Sequence, residues 1–346
     1  MDRTSVNKMN YRFLGNSGLK VSELCLGCMS FGINNVPACD VSVIVKDFIA
    51  RGGNFIETSG AEQIIGSFMS EIQRDRVVLA AKAHLDVNDG GTMGGYCRNK
   101  LIKSVEETLK TLNTDYIDLF QLNMYDGATP MREILSTIHD IVRSGKVRYI
   151  GLGNWASWQI QKACDYAEFH QLEGIISLQS QYNLLSREAE WDLFSVCRDN
   201  NLAYLAWSPL KGGWLTGRYK VSSTPTEGRV AWAEKNRFVE QNYSTAKKPQ
   251  TLPVLTTLKR IATETKHSMA QISIRWCMQR PGVTSTLIGA TTFGQHKDNV
   301  GALEFKLSPE HMKQLDEASK IPTPYPFNII RANNVKYGRK RKERLK

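Results

Sequence analysis

The sequence predicts an α/β protein, a closed (β/α)8 TIM barrel with an N-terminal β-hairpin and long loops at its C-terminal face. Eight apolar runs of strand length alternate with longer amphipathic stretches along the 346 residues, as repeated strand–helix units do. The runs are almost continuously apolar, as buried parallel strands require. The structural alternative is an open doubly wound sheet, which usually carries a GxGxxG turn after its first strand. Here Gly27 to Gly32 is GCMSFG, which favours the barrel.

The strand pattern begins with a hairpin. Tyr11–Val21 holds Asn16-Ser17-Gly18 between two short apolar runs, and small polar residues at that place favour a tight turn between antiparallel strands. Eight predicted barrel strands follow this hairpin. They cover Ser22–Leu26, Asn54–Thr58, Val77–Ala81, Tyr116–Leu122, Arg148–Leu152, Ile175–Gln179, Ala203–Trp207 and Ser285–Ile288.

Amphipathic stretches between the strands predict the helices. Asp40 is predicted to cap a helix that buries Ile44, Phe48 and Ile49, and Gly52-Gly53 is predicted to end it. The later predicted helices share apolar residues at helical spacing. They cover Arg98–Asn113, Met131–Arg143, Ser157–His170, Arg187–Asn200, Leu252–Lys266, Met269–Gln279 and Phe293–Leu303.

One long segment lacks any periodicity. Ser208–Gln250 carries four glycines and no helical or strand pattern, so it is predicted to be either a functional lid or a disordered insert. The domain organisation predicted from these patterns is an extension over 1–10, the barrel over 11–320, and a Pro-containing linker with a basic tail over 321–346.

Composition excludes several classes of protein. The sequence contains no run of 18 apolar residues, the length needed to span a membrane. Its first residues lack the apolar stretch of a secretory signal. The protein is therefore predicted to be cytoplasmic. The seven cysteines are odd in number and scattered, which is typical of reduced thiols. Cys25 and Cys28 form one CxxC, but no second pair follows, so no metal site is predicted.

The formal net charge of +11 lies mostly at one end of the chain. Lys336–Lys346 holds seven Lys or Arg and one Glu. This tail is either a solvated segment or a nuclear-import-like or acidic-surface-binding patch. A nucleic-acid partner for the whole chain is disfavoured, because the other basic residues are interspersed with acids and no RRM, zinc-finger or helix-turn-helix pattern is present.

Several motifs resemble one enzyme family in the order that the family has them. The sequence resembles the aldo-keto reductases, and within them the branch of potassium-channel β subunits and aryl-alcohol-dehydrogenase-like enzymes. The resemblance covers about residues 11–320. The motifs are LCLGCMSFG (24–32), TLNTDYIDLFQL (111–122), SGKVRYIGLGNWASWQI (144–160), LQSQYNLLSRE (178–188), WSPLKGGWLTGRY (207–219) and VTSTLIGATTFGQHKDNVGAL (283–303).

The resemblance implies reduction of aldehydes and ketones by a nicotinamide dinucleotide, with a Tyr as general acid, a Lys–Asp pair that lowers the Tyr pKa, and an orienting His. Lys82 matches the Lys, Glu57 stands at the Asp position and Asn123 at the His position. The loop after Glu57 is shorter than the family's, and the Tyr falls in the missing part. Tyr125, two residues beyond Asn123, is a candidate substitute acid.

Two functions follow from this departure. The first is a dinucleotide-binding protein with weak or no carbonyl reductase activity, which would work as a sensor, a scaffold or a channel-type subunit with a protein partner. The second is an active reductase of a small carbonyl substrate that uses the substitute acid.

The resemblance also implies a binding site for NADP(H) or NAD(H). Thr291 and Gln295 stand where the family often has Arg to hold the 2′-phosphate, so the choice between the two dinucleotides stays open. Matching residues fall into four groups along the dinucleotide. They are Gly27, Cys28 and Met29 after the first strand; Gly153, Asn154, Gln179 and Trp207 at the nicotinamide; Ser208, Pro209, Leu210, Gly212, Gly213 and Arg218 at the phosphates; and Gly289, Ala290, Thr291, Gln295, Asp298 and Asn299 at the adenosine end.

Overall fold

The computed structural model describes residues 9–84, 94–238 and 241–336, and it confirms the predicted barrel. Strands β1 (Tyr11–Phe13) and β2 (Lys20–Ser22) form the antiparallel hairpin. Eight parallel strands close in the order β10-β3-β4-β5-β6-β7-β8-β9. These are β3 (Leu24–Gly27), β4 (Phe55–Glu57), β5 (Val78–His84), β6 (Ile117–Asn123), β7 (Val147–Gly153), β8 (Ile175–Gln181), β9 (Ala203–Trp207) and β10 (Val283–Ile288).

The barrel interior is filled by side chains from nearly every strand. Because side chains alternate along a strand, every second residue faces the axis. The hairpin residues Leu14 and Val21 are fully buried in this cluster, so the hairpin closes the amino-terminal end of the barrel. The inward strand residues of the cluster are Cys25, Phe55, Val78, Ala80, Leu119, Ile176, Ala203, Leu205 and Leu287.

Helices surround the barrel in the positions that the amphipathic stretches predict. The outward faces of the strands pack against the helices in two larger apolar clusters. The helices are α1 (Met29–Ile33), α2 (Ala38–Ala50), α3 (Glu62–Gly66), α4 (Arg98–Leu112), α5 (Met131–Arg143), α6 (Ser157–Phe169), α7 (Leu193–Asp199), α8 (Gly228–Lys235), α9 (Thr251–Thr265), α10 (Met269–Gln279), α11 (Phe293–Val300), α12 (Pro309–Ala318) and α13 (Phe327–Lys336).

Two local predictions are wrong. Helix α2 begins at Ala38 with Pro37 at its N-cap, so Asp40 lies inside the first turn and does not cap the helix. The fixed φ of Pro37 favours a helix that begins directly after it, and in the prediction this position had less weight than the capping ability of Asp40. The predicted helix Arg187–Asn200 is a 3-10 turn at Glu188–Glu190 followed by α7.

The segment Ser208–Gln250 is folded in its described parts, so the prediction of a disordered insert is wrong. It contains 3-10 turns at Lys211–Thr216 and Tyr243–Lys247, with helix α8 between them. Trp214 and Val230 are fully buried in the main core. Single turns anchored by isolated apolar residues give no helical periodicity, which explains the missing signal.

The C-terminal part contains more structure than a linker. Helix α13 lies within the predicted linker and tail. Residues 337–346, which hold most of the basic residues of the tail, lie outside the described residues. Residues 1–8 of the predicted extension also lie outside them. Among the helices that the structure describes, none is both long enough and apolar enough to cross a bilayer.

Candidate functional site

The candidate residues gather at the carboxyl ends of the barrel strands, where barrels of this type place their chemistry. Glu57, Lys82, Asn123 and Trp207 each lie at or near the end of a strand, β4, β5, β6 and β9 respectively. Each is two or four residues beyond a residue of the inward cluster, so all four side chains belong to the inward face.

The predicted carboxylate–ammonium pair is present. Lys82 Nζ lies 3.4 Å from Glu57 Oε1, and the Glu57 side chain is only 3% exposed. The backbone N–H of Ser59 donates to the same oxygen at 3.3 Å, and the Ser59 hydroxyl also donates to it. Burial raises the pKa of the neighbouring Cys25 thiol, and the Glu57 charge adds to this effect. The longer Glu side chain therefore still reaches Lys82, in a pocket that disfavours further negative charge.

The loop after Glu57 turns back at once. Thr58 N–H donates to Ala80 O at 2.8 Å, and Ala61 N–H donates to Thr58 O at 2.8 Å, which closes a tight turn before α3. The Gly60 carbonyl packs directly against Gly32 of α1, because a Cβ built on Gly32 would lie 1.8 Å from that oxygen. The short loop thus fills the space between β4 and α1 with its own backbone.

Two tyrosines near the mouth make contacts other than with the Glu57–Lys82 pair. Tyr125 packs edge-on against Trp155 and Trp158, with ring centroids 5.0 and 5.8 Å apart. Tyr96 is fully buried, and its hydroxyl bonds to the backbone carbonyl of Asn123. Burial raises the pKa of Tyr96. Of the tyrosine hydroxyl hydrogen bonds in the described ranges, none goes to the carboxylate–ammonium pair.

Three side chains form a hydrogen-bonded chain across the mouth of the barrel. Asn154 Nδ2 donates to Asn123 Oδ1 at 3.0 Å, and Trp207 Nε1 donates to Asn154 Oδ1 at 3.0 Å. Asn154 has a left-handed backbone with φ 58°, and its N–H donates to Gln179 O at 3.0 Å. A Cβ on Gly153 would lie 3.3 Å from Asn123 Oδ1, so the absence of a side chain there leaves room for this arrangement.

A second amide pair lies deeper in the barrel. Gln179 Nε2 donates to Gln121 Oε1 at 3.4 Å, and both side chains are buried. Gln121 Nε2 has no hydrogen-bond partner among the described residues. Gly151 makes space for this pair, because a Cβ there would lie 2.4 Å from Ser177 Oγ. A buried, unpaired amide donor in a polar cavity is suited to a ligand or water acceptor.

The turn after β9 has the backbone shape of an anion cradle. Ser208, Lys211, Gly212 and Gly213 all have positive φ, between 49° and 96°. Turns of this kind can present N–H groups to one side. Here the N–H groups of Lys211 and Gly213 already donate to Ser208 O and Leu210 O, at 3.0 Å each, so the turn is also held by its own backbone. Lys211 is 1% exposed, and its amine donates to Gln181 at 3.1 Å and to Ser186 at 2.8 Å.

A connection from helix α8 covers this turn. Gln241 Nε2 donates to Ser208 Oγ at 2.9 Å, and Arg229 Nε donates to Gln241 Oε1 at 2.6 Å. Burial lowers the pKa of Arg229 to about 10. A Cβ on Gly212 would lie 3.1 Å from Gln241 Cβ, so the cover sits directly on the turn. Arg218, predicted to face the phosphates, is exposed and lies over the ring of Tyr219.

The other residues predicted at the phosphates and after β3 fall at the same end of the barrel. Pro209 is buried, and Leu210 packs against both apolar clusters outside the barrel. Gly27 ends β3, and the N–H of the buried Cys28 donates to Glu57 O at 2.8 Å. Met29 follows it and is 45% exposed.

The predicted adenosine residues form a compact helix start. Thr292 caps α11 by accepting from Gln295 N–H at 3.2 Å. Gln295 Oε1 in turn accepts from the N–H and the hydroxyl of Thr291. Asn299 Nδ2 donates to Gly289 O at 3.0 Å, next to the buried Ala290. Asp298 accepts from Ser268 Oγ at 3.0 Å. The two positions where the family often has Arg therefore bond to each other as a neutral pair.

Sequence reasoning missed five residues of this region. They are Ser59, Tyr96, Gln121, Arg229 and Gln241. Ser59 acts on Glu57 through a local turn, whereas the other four act through contacts distant in sequence or lie in a stretch without periodicity. A signal existed for Gln121, because it is a polar residue that follows the apolar Ile117 and Leu119 on the inward side of β6.

These features define the class of protein. A sequence model of the aldo/keto reductase family matches residues 23–320, and the chain belongs to that family. The predicted resemblance is thereby confirmed.

Three similar proteins illustrate the range of the family. An uncharacterized oxidoreductase of Bacillus subtilis, YrpG, is 34% identical over 327 residues, covering 89% of this chain and 95% of that protein. A rice (Oryza sativa) protein named as a probable voltage-gated potassium channel subunit beta is 30% identical, covering 89% and 96%. The L-glyceraldehyde 3-phosphate reductase of Escherichia coli O157:H7 is 30% identical, covering 90% and 92%.

Proposed function

We propose that this chain binds a nicotinamide dinucleotide, NADP(H) or NAD(H), across the mouth of its barrel and reduces small carbonyl compounds weakly or not at all. The observation that carries this proposal is the Glu57–Lys82 pair, which has a serine hydroxyl as its hydrogen-bonding neighbour instead of a phenol. The dinucleotide, when bound, supplies hydride; the protein must supply the proton.

The cost of a missing acid is large. Positioned proton transfer contributes about 10²–10⁴-fold to a rate. A serine hydroxyl is a weaker acid than a phenol, whose ordinary pKa is about 10. Ser59 is also committed to Glu57. Asn123 can still orient a carbonyl through its amide, but an amide does not ionise and so cannot replace the acid.

The binding half of the proposal rests on the mouth of the barrel. Asn154 and Gln179 offer amide groups to a carboxamide, and Trp207 offers a ring face to a nicotinamide. The turn from Ser208 to Gly213 fits a pyrophosphate by its backbone shape. The neutral Thr291–Gln295 pair supports NADH as well as NADPH, because it offers no cation to a 2′-phosphate.

A binding protein with little turnover suits a regulatory role. We propose a cytoplasmic sensor or scaffold, built of a barrel over 11–320 with an appended C-terminal segment, that reports dinucleotide occupancy to a protein partner. Its similarity to a protein named as a channel subunit supports this class of role and does not define the partner.

Two measurements on the purified chain test the proposal. Quenching of tryptophan fluorescence during titration with NADPH and with NADH measures binding, and oxidation of the bound dinucleotide by 4-nitrobenzaldehyde measures turnover. Binding with turnover at least about 100-fold below that of an intact family member is expected. Failure to bind either dinucleotide would remove the first half of the proposal.

The competing function is an active reductase with Tyr125 as substitute acid. The half-buried ring of Tyr125 at the mouth of the barrel is the observation in its favour. Robust turnover that is lost in Tyr125→Phe, with dinucleotide binding unchanged, would establish it. Tyr166→Phe, at a partly buried tyrosine of α6, is the matched control.

A further inference from the structure

The C-terminal helix presents an apolar patch to solvent. Tyr325, Ile329 and Ile330 are 78%, 50% and 49% exposed. Among the described side chains of α13, only Phe327 is half-buried, and the others are exposed. Tyr325 lies two residues before α13, and the two isoleucines lie in its first turn. Single exposed apolar residues are ordinary, but three within six residues of sequence form a patch that needs an explanation.

Positive charge is concentrated on the same stretch of sequence. Residues 327–346 hold eight Lys or Arg and one Glu, which gives +7 of the chain's +11. The patch and the charge are therefore adjacent in the sequence, and the family match ends at residue 320, before both of them. Neither feature is needed to build the barrel or its mouth.

We propose that this C-terminal segment, residues 325–346, binds the surface of an anionic lipid bilayer. Basic residues next to exposed apolar side chains are the combination that such a surface recognises, since charge attracts the segment and apolar groups enter the interface. Charge alone would equally suit a nucleic acid. The two adjacent isoleucines favour lipid, because branched aliphatic side chains gain little from phosphates or stacked bases and much from an acyl boundary.

The lipid surface would hold the barrel through this segment. Interfacial attachment by a basic stretch and a few apolar residues is weak and reversible, and it depends on salt. The proposal thus makes the protein a peripheral one whose distribution changes with ionic strength and lipid charge. It does not depend on the proposed dinucleotide binding.

Co-sedimentation of the full-length chain with vesicles tests this proposal. Vesicles of phosphatidylcholine alone are compared with vesicles that also contain phosphatidylserine, at about 0.1 M and about 1 M salt, where the screening length falls from about 10 to about 3 Å. Binding to the mixed vesicles at low salt, reduced at least about tenfold by high salt or by omitting phosphatidylserine, is expected.

Paired variants separate the two contributions. Arg341→Glu with Lys342→Glu should reduce binding at least about tenfold, and Ile329→Ser with Ile330→Ser should reduce it severalfold. The matched controls are Lys259→Glu with Lys313→Glu, and Leu252→Ser, at exposed positions of α9 and α12, and they should retain most of the binding. A thermal melt of each variant establishes that it folds.

Three results would overturn the proposal. One is equal binding to both kinds of vesicle, or none to either. Another is a loss in the control variants as large as in the tail variants. The third is the absence of vesicle binding together with tight binding to a DNA duplex that is unchanged in the isoleucine variant. This result would assign the segment to nucleic acid instead.

Discussion

Asn154 is the residue on which the mouth of the barrel depends. Its amide joins Asn123 on β6 to Trp207 on β9, and its left-handed backbone lets it do so from the end of β7. Asn adopts this backbone more readily than most residues. A single side chain thus fixes the orientation of the two groups proposed to face the reacting end of a dinucleotide.

Replacing Asn154 by glycine should weaken dinucleotide binding by up to about 30-fold, since two hydrogen bonds of about 1 kcal/mol each are lost while the backbone stays allowed. Fluorescence titration measures the change. Asn113→Gly is the control, because Asn113 also has a positive φ, of 52°, but ends α4 before β6 begins, at the opposite end of the barrel. Equal weakening in both variants would contradict the assigned role.

Glu190 is the centre of a charge cluster outside the mouth. It accepts from Tyr182 and Arg187 and lies 3.3 Å from Arg280. Arg280 also pairs with Asp316 at 2.6 Å, which ties the β8 side of the barrel to α12. Burial acts to raise the pKa of Glu190, but the hydrogen bonds from Arg187 and Tyr182 and the two positive charges lower it overall.

Glu190→Gln should lower the free energy of unfolding at pH 7 by about 2–3 kcal/mol, because it removes one of the two carboxylates that pair with Arg187 and Arg280 and leaves Asp316 as their remaining partner. Since the folded pKa lies below the ordinary value of 4.5, the stabilisation is complete above that pH and is lost as the pH falls through the lowered value. The difference from the unaltered chain should therefore shrink in acid, as urea unfolding at several pH values would measure. Glu317→Gln, at an exposed neighbour on α12, should change little at any pH.

At the scale of elements, the segment between β9 and α9 acts as a cover on the proposed phosphate turn. Arg229 of α8 and Gln241 reach Ser208 through two successive hydrogen bonds. Together with the buried side chain of Lys211, the cover stabilises the left-handed backbone that the turn requires.

Gln241→Leu should raise the dissociation constant for NADPH about tenfold, since it breaks both bonds of the cover at nearly constant volume. Gln250→Leu, at the start of α9, changes the same residue type where no side-chain cap bond is made, and should leave binding as it is. Tighter binding in Gln241→Leu would mean instead that the cover blocks the turn.

Most elements followed from the sequence because their cause is local. Continuous apolar runs such as Tyr116–Leu122 predicted the strands within a few residues, since burial on both faces leaves no other pattern. The first turn of α2 was misjudged because Pro37 and Asp40 both favour a helix start. For Ser208–Gln250 the sequence left a lid and a disordered insert as alternatives and predicted none of its helices, because their order comes from Trp214 and other isolated anchors, which only the folded chain brings together.

For the candidate site, the sequence predicted which residues lie together but not how they bond to one another. The family resemblance singled out Glu57, Lys82, Asn123 and Trp207, and the structure brings them to one mouth because all parallel strands end on the same side. Their hydrogen-bond partners were not predictable, since the pairing of Asn154 with Trp207 joins residues 53 apart. Long-range contacts of this kind have no signature in a single sequence.

The molecule as a whole is a barrel with its own closed core, followed by a C-terminal helix that buries little of its surface. Helix α13 is exposed along its described length, apart from Phe327. The last element of the main core is α12, whose Leu315 is fully buried.

Deleting Asn333–Lys346 should leave the thermal midpoint within about 2 °C and the affinity for NADPH unchanged, because little buried apolar surface is lost. Differential scanning calorimetry and fluorescence titration measure the two. A fall of more than about 5 °C would mean that the deleted residues belong to the folded domain.

The hairpin at the amino-terminal end of the barrel determines the route by which ligands can leave. Leu14 and Val21 seal the amino-terminal end, so ligands of the interior arrive and depart through the mouth that Asn154 spans. Under the proposed function, a carbonyl compound bound above the nicotinamide would block the exit of the dinucleotide. Exchange of the dinucleotide should therefore slow as the concentration of an aromatic aldehyde rises, even if no hydride is ever transferred. A barrel that transfers no hydride would then retain a bound dinucleotide longer when the concentration of carbonyl compounds is high.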